Sequence, residues 1–150
     1  MAADLTIQRD VVIDAPVDVV WSTISEPENI SRWFADRIDV EIRPGATGTF
    51  VFEHPDEGRS TTVAIAIDAV DPPHRLAYRW GHPEGEEATT ANSTLVAFTL
   101  TPEGDDRTRL RVVEHGLDEA AWAAADKVRY ADDHREGWAF QLDRLVELFR

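Results

Sequence analysis

From Ile38 to Glu114 the large side chains keep a period of two, and the one long helical stripe in the sequence comes only after them. Ile38, Val40 and Ile42 alternate, "PGATG" turns the chain, Phe50 and Phe52 alternate, and "PDEG" turns it again. "STTVAIAIDAV" (60–70) places Val63, Ile65 and Ile67 on one face, and closes at Pro72 and Pro73, which cannot donate to a strand ladder. "RLAYRW" (75–80) sets Leu76, Tyr78 and Trp80 in a row. "STLVAFTLT" (93–101) does the same with Val96, Phe98 and Leu100, and "RTRLRVVE" (107–114) ends the meander. Only "GHPEGEEATTAN" (81–92) lacks periodicity and reads as a long loop. Antiparallel hairpins with one apolar face follow, and that face needs a cover.

The flanking segments supply it. "LTIQRDVVI" (5–13) reads as a first strand through Leu5, Ile7, Val11 and Ile13, with Arg9 breaking the row. Asp14 is placed to cap a helix whose first turn accepts Pro16, and Val17, Val20, Trp21 and Ile24 share one helical face. Ser25 and Glu28 are spaced as a capping box around Pro27, opening a short second helix through Ile30, Trp33 and Phe34. At the other end Trp138, Leu142, Leu145, Val146 and Phe149 form an amphipathic stripe. Upstream of it, Asp118 is placed to cap a shorter helix through Trp122, leaving the boundary near 127–131 open. The expected architecture is α+β: a seven-stranded curved antiparallel sheet wrapped around a long C-terminal helix, with two short helices after strand 1, all in one domain spanning 1–150.

Composition narrows the chemistry. No cysteine is present, which excludes disulfides, thiolate metal sites and thiol catalysis. Twenty-nine acidic residues face 15 basic ones, of which Lys127 is the sole lysine, and a net charge of −14 repels phosphate backbones. Nucleic acid is therefore not an expected partner. The acidity reads either as a solubility coat or as adaptation to high salt. No apolar run reaches the length of a membrane span and no signal pattern opens the chain, so a cytoplasmic protein without membrane insertion is expected.

No constellation of catalytic residues emerges. A GxSxG elbow and a phosphate-binding glycine loop are absent, and serines 22, 25, 31, 60 and 93 have no local base. "HPEGEE" (82–87) and "DDHRE" (132–136) gather histidine and carboxylates without metal-ligand spacing, and Arg129 and Asp133 at i,i+4 make the second a solvated, ion-paired surface. Neither a metal nor a cofactor is expected. The aromatic row is more informative: Tyr78 and Trp80 should join Phe50, Phe52 and Phe98 facing the helix stripe of Trp138 and Leu142. Each alone is a core residue. Together they are the walls of a mostly apolar pocket with a few polar tips. Trp33 and Phe34 fall near its mouth or staple the first helix to the sheet, and exposed apolar groups near Trp33 would support a weak homodimer in place of a monomer. His54, continuing the Phe50–Phe52 face, and His82, opening the acidic loop, are available to bond a ligand or act as a base, or are simply structural.

In order and motif the chain resembles the START and Bet v 1-like (SRPBCC) helix-grip superfamily, and within it the activator of heat-shock-protein-90 ATPase homologue-like branch. "IDAPVDVVWSTISEPENISRWF" (13–34), "VDPPHRLAYRW" (70–80), "TRLRVVEHGL" (108–117) and "GWAFQLDRLVEL" (137–148) carry the resemblance. It implies a cavity between sheet and long helix that takes hydrophobic or amphipathic, lipid-like small molecules. It implies no shared catalytic set. The branch's name does not bring a function with it, since the chaperone-activating proteins carry an additional N-terminal domain. Ile65 stands near a position where relatives often have glycine, which would reduce the bend of the long strand and the cavity volume.

The expected function is binding of such a molecule, with Trp33, Phe34, Phe50, Phe52, His54, Tyr78, Trp80, Phe98, Trp138 and Leu142 as its surroundings and no assigned catalytic residue. The alternatives are a cyclase- or aromatase-like enzyme, with His54, Tyr78 or His82 as acid or base, and a co-chaperone-like interaction module.

Overall fold

Each change of hydrophobic period marks a change of element in the computed structural model, which describes residues 5–150. β1 (Ile7–Ile13) leads into α1 (Val17–Ser25) and α2 (Pro27–Ile30). Then come β2 (Arg37–Asp39), β3 (Thr47–His54), β4 (Arg59–Asp71), β5 (Arg75–Trp80), β6 (Thr94–Pro102) and β7 (Thr108–His115), followed by α3 (Ala124–Glu147). The seven strands form one antiparallel sheet in the order β1-β7-β6-β5-β4-β3-β2, so β1 returns beside the last strand of the meander. This is the expected α+β helix-grip: a curved open sheet around a long C-terminal helix, with two short helices after the first strand.

Alternation puts one face of every strand into the interior. Leu76, Tyr78 and Trp80 on β5 are buried, as are Phe50 on β3, Ile65 and Ile67 on β4, Val96 and Phe98 on β6, and Leu110 and Val112 on β7. From α3, Ala131, Trp138, Leu142 and Leu145 close over them, while Val146 and Phe149 are only partly buried. The opening row thus does face the helix. Trp33 fixes the helical connection to this core, its Nε1 donating to the Thr23 carbonyl at 3.0 Å.

Several local expectations fail, each for a physical reason. Asp14 does not cap α1; Pro16 does, its carbonyl accepting from the amides of Val19 and Val20. The Ser25–Glu28 capping box does not form, because the Ser25 hydroxyl turns back to the Trp21 carbonyl at 2.6 Å and Glu26 becomes the cap. Trp33 and Phe34 lie beyond α2, which ends at Ile30. No helix runs from Asp118 to Trp122; instead α3 begins at Ala124 and passes unbroken through 127–131. Ile65 itself is fully buried opposite Trp80, and the register of β4 against β5 shifts two residues further on, between Ile67 and Ala69.

The β2 row of Ile38, Val40 and Ile42 is also cut short, since β2 ends at Asp39. Here the chain crosses tightly over Gly48 of β3, where a Cβ would stand 2.7 Å from the Val40 Cβ and 2.9 Å from its Cα. Only glycine permits that approach. Gly48→Ala is accordingly expected to lower stability by about 1–3 kcal/mol through overpacking, read from the midpoint of urea unfolding. An unchanged midpoint would show that the crossing relaxes freely.

Candidate functional site

Among the described residues the interior contains one carboxylate, and it comes from the strand pattern itself. Along β7, Thr108, Leu110, Val112 and Glu114 alternate inward, which carries the Glu114 carboxylate beneath α3 with no side-chain exposure. On α3, Tyr130, His134 and Trp138 recur every four residues and so share a face. The two rows meet. Oε2 of Glu114 accepts from Trp80 Nε1 at 2.8 Å, Thr94 Oγ1 at 2.7 Å and the Tyr130 hydroxyl at 2.7 Å. Oε1 accepts from His134 Nδ1 at 2.7 Å and Trp138 Nε1 at 2.9 Å.

Five donors from β5, β6 and α3 therefore surround one carboxylate. Burial alone pushes its pKa up. The hydrogen bond and charge of His134, with hydrogen bonds from Thr94 and Trp80, outweigh burial and bring it down to about 2. Glu114 is thus an acceptor only, and His134 Nδ1 must carry the proton between them. Tyr130, itself mostly buried beside that negative charge, has its pKa raised, burial being the larger cause. Its ring stacks on the His134 imidazole with centroids 3.7 Å apart.

Beside this cluster a cleft of about 400 Å³ opens between β3–β5 and α3. Its walls are Phe34, Phe52, Trp80 and Trp138, with Val63, Gly81, Tyr130, Asp133, His134, Gly137 and Gln141 completing it. Phe34 and Trp138 lie nearly parallel, 13° apart with centroids at 5.3 Å, while Phe52 meets Phe34 edge-on at 5.2 Å. His134 shows about a quarter of its side chain, 27%. Gly137 sits inside α3, and a Cβ there would touch nothing within 4 Å.

Of the residues singled out from sequence, Phe34, Phe52, Trp80 and Trp138 reach this cleft. Trp33, Phe50, Tyr78, Phe98 and Leu142 do not line it; they are packed beneath, at 1–2% exposure. The space left among Trp33, Phe50, Tyr78 and Phe98 is only about 10 Å³, room for one water at most. Tyr78's hydroxyl is buried there without a partner, and its pKa is raised well above the ordinary range, by burial first and by the Glu114 charge second. Trp33 itself is 1% exposed, and among the described residues the exposed large apolar groups are Val12, Val19, Val128 and Phe140.

Both histidines chosen from sequence fall elsewhere. His54 ends β3 with Nε2 2.9 Å from Thr61 Oγ1, outside the residues lining the cleft. His82 is buried on a separate depression with Gly45, Thr47 and Glu84, and burial lowers its pKa. Arg129 pairs with Asp126 at 3.1 Å and not with Asp133, and "DDHRE" is no purely solvated surface, because His134 turns inward. The residues of this cluster and cleft that the sequence reading does not single out are Glu114, Tyr130, His134 and Gly137. The inward parity of β7 and the i−4, i−8 positions before Trp138 carry the signal for the first three. Among the described residues no group of three or more histidines and carboxylates is placed to hold a metal, and no helix is long and apolar enough to cross a membrane.

A sheet gripping a long helix, with an aromatic cleft between them, defines the START and Bet v 1-like class of helix-grip proteins. Within that class the chain belongs to the family described as activator of Hsp90 ATPase homolog 1-like protein, whose model matches residues 14–150. Among solved structures, NE0264 from Nitrosomonas europaea aligns with a TM-score of 0.78 at 19% identity, over 99% of this chain and 96% of its own. CalU16 from Micromonospora echinospora aligns at 0.68 with 27% identity, over 97% and 74%. The Aha1 dimer from Colwellia psychrerythraea aligns at 0.69 with 14% identity, over 96% and 95%. Among curated proteins none matches significantly.

Two outcomes follow from the carboxylate. Glu114→Gln puts an amide NH2 where one oxygen was, and whichever side it takes, an indole N–H from Trp80 or Trp138 faces it with no acceptor. The variant is expected to lose about 3–5 kcal/mol in urea unfolding; a loss under about 1 kcal/mol would contradict the network. Acid supplies the second outcome. A carboxyl ordinarily at 4.5 and held at about 2 in the folded state contributes stability above the unfolded value, and that contribution disappears as pH falls through the folded one. About 3 kcal/mol should therefore be lost between roughly pH 4.5 and pH 2, and this portion should be missing from the profile of Glu114→Gln.

Proposed function

We propose that the protein binds a small, largely apolar aromatic or amphipathic molecule in the cleft between β3–β5 and α3. Phe34, Phe52, Trp80 and Trp138 supply the walls, and the buried Trp33, Phe50, Tyr78, Phe98 and Leu142 hold those walls in place. The volume lies at the small end of the roughly 300–1,000 Å³ range of ligand sites, which favours a ligand of two or three rings over a long lipid chain.

Gly137 carries this reading. Inside a helix, glycine costs about 1 kcal/mol relative to alanine, and here no neighbour stands where its side chain would be. Packing does not require the glycine. The position instead borders the open cleft beside four aromatic rings, where a larger side chain would take up space.

The test compares wild type with Gly137→Leu, using a panel of bicyclic and tricyclic aromatic hydrocarbons and ethers. A ligand held only by the native state at about 100 times its Kd should raise Tm by about 5–10 °C and change tryptophan fluorescence. Gly137→Leu is expected to stay folded, at equal or higher Tm, and to lose both responses. A panel without effect on wild type, or an equal response in both proteins, would refute binding in this cleft.

A further inference from the structure

His134 sits on the wall of the cleft with one nitrogen committed. Nδ1 donates to the Glu114 carboxylate at 2.7 Å, and four further donors hold that carboxylate in place. The ring is clamped as well, stacked on Tyr130 at 3.7 Å and set edge-on to Trp80 at 5.5 Å. Nε2 takes no hydrogen bond from the described residues, on a ring that contributes to the lining. With the ring neutral and its proton on Nδ1, Nε2 is a bare lone pair.

The remaining polar surroundings have the same sense. Asp133 beside His134 adds a carboxylate, none of the lining residues is arginine or lysine, and the chain carries a net charge of −14. A ligand with a carboxylate or phosphate head would meet the negative field of the chain and no arginine or lysine in the lining. A ligand with a neutral O–H would meet an oriented acceptor.

We propose that the cleft selects neutral hydroxylated aromatics of the phenol class, whose hydroxyl donates to His134 Nε2 while the rings stack among Phe34, Trp80 and Trp138. Glu114 acts as a positioning residue, fixing which nitrogen of His134 faces the ligand. The proposal rests on the binding reading above and adds the ligand's chemical class to it.

Three probes of one shape separate the two claims: 2-naphthol, 2-methoxynaphthalene and 2-naphthoate, titrated calorimetrically into the native protein. The naphthol should bind about tenfold more tightly than its methyl ether, as one well-placed hydrogen bond allows, and the naphthoate most weakly. His134→Asn keeps an amide donor near the Nδ1 position for Glu114 but removes the Nε2 acceptor, so it should bring naphthol down to the affinity of the ether. A long-range proton–nitrogen spectrum of wild type should show His134 protonated at Nδ1, a readout that does not depend on any variant folding. Equal affinities for naphthol and ether, a preference that survives in His134→Asn, or a proton on Nε2, alone or together with Nδ1, would overturn the phenol proposal and leave ether binding intact. Failure of all three probes to bind would overturn both readings.

Discussion

One buried carboxylate sets the relation between helix and sheet. An isolated charge in an apolar interior costs several kcal/mol, and Glu114 is tolerable there only because Trp80, Thr94, Tyr130, His134 and Trp138 all donate to it. Those five side chains come from β5, β6 and α3, while the acid comes from β7. Apolar packing would accept small rotations of α3 over the sheet. Five directed hydrogen bonds at 2.7–2.9 Å would not, so the helix has one seat.

The same constraint shapes the cleft. Trp80 and Trp138 use their indole N–H groups on Glu114 and turn their rings to the open side, and His134 does likewise with its imidazole. Beneath them Phe50, Phe98 and Leu142 fill the interior almost completely, so the empty volume lies above the tryptophans, at the side where α3 carries Gly137. Stability and ligand space are therefore divided between two layers of one aromatic cluster: a closed lower layer and an open upper one. Phe34 joins them, stacked on Trp33 at 5.0 Å below and on Trp138 at 5.3 Å beside the cleft.

The order of elements was legible because period reports it: the inward rows at Leu76–Tyr78–Trp80 and Val96–Phe98–Leu100 lie where alternation puts them. Caps and ends were less legible. A serine hydroxyl can bond an amide ahead of it or a carbonyl behind it, and sequence spacing does not say that Ser25 takes the Trp21 carbonyl. The short β2 was unreadable for a different reason, since it ends at a crossing over Gly48, a contact between segments that no local pattern encodes. In the site, the aromatic walls were visible as apolar positions of regular period. Glu114 and His134 were not recognised, because a charged residue at a strand end or on an acidic helix is ordinarily solvated. Only the union of two parities, β7 facing in and α3 facing down, turns them into a pair, and that union is tertiary. His54 keeps the Phe50–Phe52 parity but stands at the very end of β3 beside Thr61, and His82 lies on a separate depression, so neither reaches the cleft.

Chemical-shift mapping tests the central claim most directly. In a proton–nitrogen correlation spectrum of the native protein titrated with 2-methoxynaphthalene, the amides of Gly81, Gly137 and Gln141 and the indole N–H signals of Trp80 and Trp138 should move together and saturate together. The two indole signals should also lie downfield and exchange slowly with solvent before any ligand is added, as charge-assisted bonds to a buried carboxylate require. Shifts centred instead on the depression of Gly45, Thr47 and Glu84, or indole protons that exchange freely, would contradict a cleft built on Glu114.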